Sequence, residues 1–367
     1  MPIYLDAHSL PSVTAKDVAE AHQSDLLHQP EFDCKCLTYW FDPSRNSAFC
    51  LIEAPDMDAV TKLHEKSHGL IPNKIIEVSS SAVESFLGRI HDPDDAAVFS
   101  NGLKVFSDPS FRVLMITQIN DPILLQHQLG VEKTNELISL HNAIVRKNIA
   151  VHGGSEAEHS GYGLIASFTS AYQALNCALT MQKDVQAQET DALEFRISIS
   201  GGEPVESNSK LFGDSIQFAS HLCAITDHHH IALSSNVKEL LVSYEHYQKN
   251  RHNLMNLAPP EEKFLKSLFS ILEKQSQLSE FGIKDYCHFF AMSQSQVYRK
   301  IIKLTGLSFN TFLMEYRLQQ AKERMKKQCY SISQITFDSG FTSPSYFTKC
   351  FKRKFGLLPK AYIDLVH

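Results

Sequence analysis

Two stretches near the C-terminus, AMSQSQVYRKIIKLTG (291–306) and SISQITFDSGFTSPSYFTKCFKRKFG (331–356), decide how this chain is read. In the first, Ser293 is placed to cap a helix with Val297 and Ile301 inward and Gln296, Arg299, Lys300 and Lys303 outward. The second repeats the pattern: a helix, a turn at Gly340, then a basic helix with Phe347 and Phe351 inward. A short helix, a tight turn and a second helix with amide and basic side chains outward is the geometry that enters a major groove. Between them SFNTFLMEYRLQQAKERMKK (308–327) reads as one helix of about 20 residues, roughly 30 Å long. That is close to the roughly 34–36 Å between successive major-groove openings on one face of B-DNA. One chain can therefore present two recognition helices.

The run from Ile283 to Ile363 closely resembles the DNA-binding domain of AraC/XylS-type transcription regulators, through RLQQAKERM, SGFTSPSYFTKCFKRKFG and Pro359 before Tyr362. The resemblance implies that Ser295, Tyr298 and Arg299 of the first helix, with Gln296 beside them, and Ser345, Thr348 and Lys349 of the second, lie nearest base edges. Lys303 and Lys352 are implied as phosphate contacts, which position without specifying. Two positions depart from the family's small alanine: Cys287 and Thr336. The Thr336 hydroxyl needs a bond back to its own helix.

Working outward, charge separates this end from the rest. Of 367 residues, 35 are Lys or Arg and 41 Asp or Glu, a net charge of −6, and the sequence pI is about 6.3. Residues 261–367 hold 17 basic and 9 acidic side chains, net +8, which leaves −14 for residues 1–260. The basic end is drawn to a phosphate backbone and the remainder repels it. HDPDDAAVFSNG (91–102) and YQKNRHNLMNLAPP (247–260) carry turn formers without apolar periodicity and read as linkers. The expected division is 1–90, a linker 91–107, 108–245, a linker 246–260, and 261–367. Eight scattered cysteines are expected as reduced thiols. No long apolar run and no signal-peptide pattern is seen, so a cytoplasmic protein without a membrane partner is expected.

The middle block alternates strands (FRVLMITQIN, GLIASF, FRISISGGEP, HIALSS) with helices, an α+β sheet pattern. Through HGGSEAEHSGYGLIASF (152–168), SISGGEPV (198–205) and LFGDSIQFASHL (211–222) it resembles the catalytic domain of class III nucleotidyl cyclases. Such enzymes hold two cations on two carboxylates. The matching positions here carry Gln118 and Tyr162, the latter between Gly161 and Gly163. The base-selecting positions carry Glu158 and Lys210, and the transition-state positions Gln217 and His221. Losing one transition-state donor costs about 10²–10³ in rate, so the resemblance implies a retained fold without magnesium-nucleotide chemistry. Its expected use is homodimerisation or relay. The alternative is a nucleotide sensor beside an N-terminal dimeriser, and the least favoured reading is an active cyclase.

The N-terminal block orders its elements βαββαβ, a ferredoxin-like sandwich. His64 and His68 at i, i+4 share a helix face, Asp6 and His8 at i, i+2 share a strand face, and His22 lies on the other helix. Imidazole and carboxylate from several elements suit a borderline divalent ion such as nickel or zinc. Through YLDAH (4–8), TAKDVAEAH (14–22), YWFDPSRNSAFCLIEAPD (39–56) and HEKSHGL (64–70) the block resembles a family of ferredoxin-like nickel-binding proteins. That implies a metal set of Asp6, His8, His22, His64 and His68, with Glu53 as a further candidate. The expectation is an α+β multidomain DNA-binding regulator: ferredoxin-like, cyclase-like, then an all-α double helix-turn-helix. Its expected partners are operator DNA, a second copy, and a metal or small-molecule effector.

Overall fold

The structure, a computed structural model, describes residues 1–99, 102–160, 163–188, 195–327 and 331–367. The N-terminal elements are β1 (Ile3–Ser9), α1 (Ala15–His28), β2 (Lys35–Asp42), β3 (Ser47–Glu53), α2 (Met57–Ser67) and β4 (Lys74–Val78). Their antiparallel sheet has the order β2-β3-β1-β4, the ferredoxin-like arrangement. Thr14 caps α1 through a reciprocal capping box with Asp17, and Asp56 caps α2 by accepting the Ala59 N–H. Strand alternation sends Tyr4, Tyr39, Phe41 and Ile52 toward α1 and α2, and Leu5, Trp40, Phe49, Leu51 and Ile76 to the other face.

The serines at 79–81 end the strand and start α3 (Ser80–Leu87), because the Ser79 hydroxyl accepts the Ala82 N–H at 3.2 Å. Within 91–107 the chain forms a hairpin, β5 (Ala97–Val98) with β6 (Lys104–Val105). Leu103 is buried there and Phe106 stacks on Tyr39 at 4.1 Å, so this linker is folded onto the first sheet.

The middle region runs β7 (Arg112–Ile119), α4 (Pro122–Leu129), α5 (Val131–Val151), β8 (Ser155–Ser160), β9 (Gly163–Phe168), α6 (Ala171–Gln186) and β10 (Phe195–Gly202). It continues through α7 (Gly213–Ile225), β11 (Ile231–Leu233), α8 (Ser235–Leu241), α9 (Glu245–Lys249) and β12 (Leu254–Asn256). The six strands lie in the order β12-β11-β10-β7-β9-β8. The second expected linker, 246–260, thus contributes α9 and an edge strand. Its apolar signal is the buried Tyr247, Leu254 and Leu257, too few to show a period.

Helices α5, α6 and α8 cover one face of this sheet through Val145, Ala174, Leu175 and Val237. The other face presents Leu114, Ile116 and Ile165 to α7, to α3, and to Leu5, Trp40, Phe49, Leu51 and Ile76 of the first sheet. This face of the middle sheet is therefore covered within the chain. The buried Arg112 guanidinium fastens the joint by donating to the carbonyls of Phe86, Leu87, Pro109 and Phe111. The Lys74 ammonium donates to those of Glu206, Ser207 and Asn208.

Seven helices close the chain: α10 (Pro259–Gln275), α11 (Ile283–Phe290), α12 (Gln294–Thr305), α13 (Phe309–Lys327), α14 (Ile332–Asp338), α15 (Pro344–Phe355) and α16 (Pro359–Val366). They build two cores. One joins Leu265, Leu268, Tyr286, Val297, Ile301 and Phe309; the other joins Leu318, Met325, Ile335, Phe347, Phe351 and Tyr362. No helix among the described residues is long and apolar enough to cross a membrane.

Candidate metal centre and nucleic-acid interface

In β1, Asp6 and His8 point between sheet and helices, and both are buried. Asp56 at the start of α2 sets the turn that brings the fully buried His64 over them. The His64 ring bridges two carboxylates, with Nε2 2.8 Å from Asp6 Oδ2 and Nδ1 3.3 Å from Asp25 Oδ1. His68 Nε2 lies 3.2 Å from the same Asp25 oxygen and 3.0 Å from His64 Nδ1. His8 Nε2 is 3.1 Å from Asp6 Oδ1.

Two four-to-five-ångström groups result: Asp6, His8, Cys50 and His64, whose donor atoms all lie within 4.8 Å of one another, and Asp25, His64 and His68. Cys50 enters because β3 pairs it with Asp6, whose Oδ1 also accepts the Cys50 N–H at 3.1 Å.

The electrostatics fit an ion. Burial works against charge on Asp6, but His64 and His8 outweigh it and hold the carboxyl well below the usual range. Burial likewise opposes Asp25, yet contacts with His64 and His68 bring it down to about 2. For His64, burial disfavours the cation, and the two carboxylates overcome this and push it up to about 10. Burial first, then Asp6 and Asp25, raises the Cys50 thiol well above its ordinary value. The His8 Nε2 and Asp25 Oδ1 atoms are buried without an aligned hydrogen bond, an arrangement with a physical cost unless another ligand completes it. Imidazole, carboxylate and thiol donors converging on one point suit nickel, zinc or a similar divalent ion.

Four of the six expected ligands, Asp6, His8, His64 and His68, lie in this cluster, and two corrections follow. His22 is buried on α1 but belongs to neither group; its ring packs on Tyr39 and its Nε2 is 3.8 Å from Asp92. Glu53 falls on the opposite face of β3 from Cys50 and meets the N-terminal ammonium at 3.3 Å. What α1 supplies instead is Asp25, one turn past His22, which sequence reasoning missed together with Cys50.

At the C-terminal end, Ser293 caps α12 and Ser343 caps α15. Ser295, Tyr298, Arg299 and Lys303 are exposed on α12; on α15, Ser345, Lys349 and Lys352 are exposed and Thr348 is half-buried. Gln296 is exposed, but its Oε1 accepts both the Ser293 N–H and hydroxyl, so its side chain serves the cap. Lys303 pairs with Glu261 at 2.5 Å. The Thr336 hydroxyl bonds back to the Ile332 carbonyl at 2.7 Å, as its position demanded.

In the middle region, Gln118 lies at the end of β7 and Tyr162 lies outside the described residues. Glu158 and Lys210 are both exposed. Gln217 Nε2 donates to Glu273 Oε1 of α10 at 2.8 Å, and His221 Nε2 lies 3.2 Å from the same oxygen while its ring stacks on Phe269. A cleft of about 1090 Å³, lined among others by Gln118, His221, Tyr316 and Arg353, opens between this region and the helical end.

Residues 286–364 match the family described as "Helix-turn-helix domain", and residues 4–78 match that described as "Nickel responsive protein SCO4226-like". "Histidine kinase P4" of Formosa agariphila is 30% identical over 147 residues, 36% of this chain and 11% of that protein. "Putative adenylate cyclase 3" of Rhizobium meliloti is 24% identical over 132 residues, 34% of this chain and 22% of that protein. "HTH-type transcriptional activator RhaS" of Mannheimia succiniciproducens is 27% identical over 122 residues, 33% of this chain and 44% of that protein. In each case the chain spans less than half of the relative's length. Segment by segment, then, the chain carries an SCO4226-like N-terminal domain, a cyclase-like middle and an AraC-type helix-turn-helix domain at its C-terminus.

Proposed function

We propose that this protein is a cytoplasmic, sequence-specific DNA-binding transcription regulator whose N-terminal domain responds to a divalent metal. The observation that carries the reading is the pair of capped helices α12 and α15, each with a buried apolar face and an exposed polar and basic one. Arg299, Ser295 and Tyr298, with Ser345, Thr348 and Lys349, read base edges. Lys352 meets phosphate, and Lys303 does so on leaving Glu261. Asp6, His8, Cys50 and His64, or Asp25, His64 and His68, hold the ion, and the ion supplies a fixed positive charge between the sheet and both helices. For the metal to regulate, its affinity must differ between DNA-competent and incompetent states.

The domain division follows function: 1–90 senses, 108–245 relays without catalysis, and 261–367 binds DNA. Gln118 in place of a metal carboxylate, and Gln217 and His221 turned toward Glu273, support a non-enzymatic middle domain. Selection of duplexes from a random-sequence pool by the full-length chain, with and without nickel, cobalt or zinc, tests the whole reading. Enrichment of one sequence with a metal-dependent affinity is expected; no enrichment above random DNA refutes it. A second reading, that the middle domain senses a nucleotide, is favoured by the cleft lined by Gln118 and His221. Equilibrium dialysis with ATP, GTP and cyclic nucleotides, and an assay for cyclic product with manganese, separates the two.

A further inference from the structure

We propose that α4 and α7 of the middle domain are two separate seats, one for each helix-turn-helix unit, and that Asp121 is the latch that sets the second recognition helix for paired DNA contact. The proposal rests on the DNA-binding reading above.

The first seat is α7. Its Phe218 and Leu222 belong to the same apolar core as Phe264, Leu268 and Leu272 of α10 and as α11 and α12. Gln217 and His221 converge on Glu273, Lys266 lies over the Phe218 ring, and Glu262 accepts the buried Ser235 N–H at 2.7 Å.

The second seat is α4. Its Ile123 and Leu124 pack on the core of α13 to α16. Asp121, buried at the start of α4 and three residues beyond Gln118, accepts from Lys322 and Lys326 of α13 and from the Tyr362 hydroxyl of α16, each at 3.0 Å. Its other oxygen caps α4 at the Ile123 N–H. A charged contact of this kind, made in low dielectric with three partners on the helical unit, is sensitive to removal of the shared carboxylate.

The cleft lies between the two seats. Directly between the two helix-turn-helix units run the Arg317 guanidinium, which donates to the Ser276 and Leu278 carbonyls, and the turn at Gly340, where a Cβ would strike the Ser276 carbonyl. The middle domain therefore shares in fixing their relative placement. With the latch engaged, Ser345, Lys349 and Lys352 are exposed. Asp121 meets α13 and α16 and none of Ser345, Lys349 or Lys352, so the latch leaves that face uncovered.

The test uses the full-length chain and the duplex it enriches from a random pool. For Asp121→Asn, affinity for that duplex is expected to fall at least about tenfold. The footprint should shrink from two successive major grooves to one, while affinity for random-sequence duplex stays within about twofold. Tyr362→Phe, which keeps both ammonium partners, should give a smaller loss of the same sign with unchanged far-ultraviolet circular dichroism. Unchanged affinity and footprint in Asp121→Asn, or tighter binding, overturns the proposal. Should the wild type enrich no duplex, the DNA reading itself fails. The seat then stands or falls on hydrogen exchange, since unchanged amide protection of α13 and α16 in Asp121→Asn overturns it.

Discussion

Nickel entering the cluster at His64 has to displace a proton. Held between Asp6 and Asp25, the imidazole has its pKa pushed up to about 10, so at pH 7.5 it is an imidazolium with a proton on each nitrogen. Freeing one nitrogen at pH 7.5 costs about 3 kcal/mol, and that cost falls by about 1.4 kcal/mol for each pH unit toward 10. Nickel affinity should thus rise about tenfold per pH unit across this range if Asp25, His64 and His68 form the site, because the carboxylates are already ionised. If the site is Asp6, His8, Cys50 and His64, the buried thiol must also ionise, and the rise becomes about a hundredfold per unit. Calorimetric titration at pH 7.5 in buffers of different ionisation enthalpy counts the released protons: about one for the first group, about two for the second. Release near zero with pH-independent affinity would refute His64 as a ligand.

Further outcomes follow from the same contacts. In the metal-free chain, the raised His64 pKa contributes stability that is fully present below pH 6.5 and is lost as pH rises through about 10. Thermal melts of the apo chain should therefore fall across that window, and saturating nickel should remove the fall. Trp40→Ala, at a fully buried ring between the two sheets, should cost about 3–5 kcal/mol in urea unfolding. Arg299→Ala should relax sequence preference, whereas Lys352→Ala should weaken all duplexes alike and flatten the salt slope by about one unit. Equal losses on enriched and random DNA for both variants would contradict the assignment of Arg299 to readout. A fragment of residues 261–367, deprived of Ile123, Leu124, Phe218 and Leu222, should unfold at lower urea than the same helices in the full chain, monitored by hydrogen exchange.

Features that repeat at short spacing are legible in the sequence. The i, i+2 pair of Asp6 and His8 and the i, i+4 pair of His64 and His68 announce their shared faces, and both recognition helices follow from caps and apolar spacing. Asp25 and Cys50 are harder, since each is a single residue in an ordinary pattern. Asp25 follows His22 by one helical turn, and Cys50 sits in FCLIE as a small apolar residue would. Only the register of β3 against β1 sets Cys50 across from Asp6. The same parity removes Glu53, because a shift of one residue along a strand exchanges its faces. Long-range sheet pairing carries this information, and composition along the chain does not.

The charge seam at Pro260 shows where local and long-range information part. Net charge changes there from −14 to +8, and that boundary separates what repels DNA from what attracts it. Packing ignores it. The core of α10 to α13 takes in Phe218, Leu222 and Ala232, and that of α13 to α16 takes in Ile123 and Leu124, all from the acidic side. Asp121 then spends a buried acidic charge on Lys322 and Lys326, the inner face of the basic end. Arg299, Lys349 and Lys352 remain exposed on the outer one. An acidic body that takes Lys322 and Lys326 onto Asp121 leaves Arg299, Lys349 and Lys352 unburied. The two signs of charge can therefore coexist in one chain without cancelling at the surface where DNA arrives.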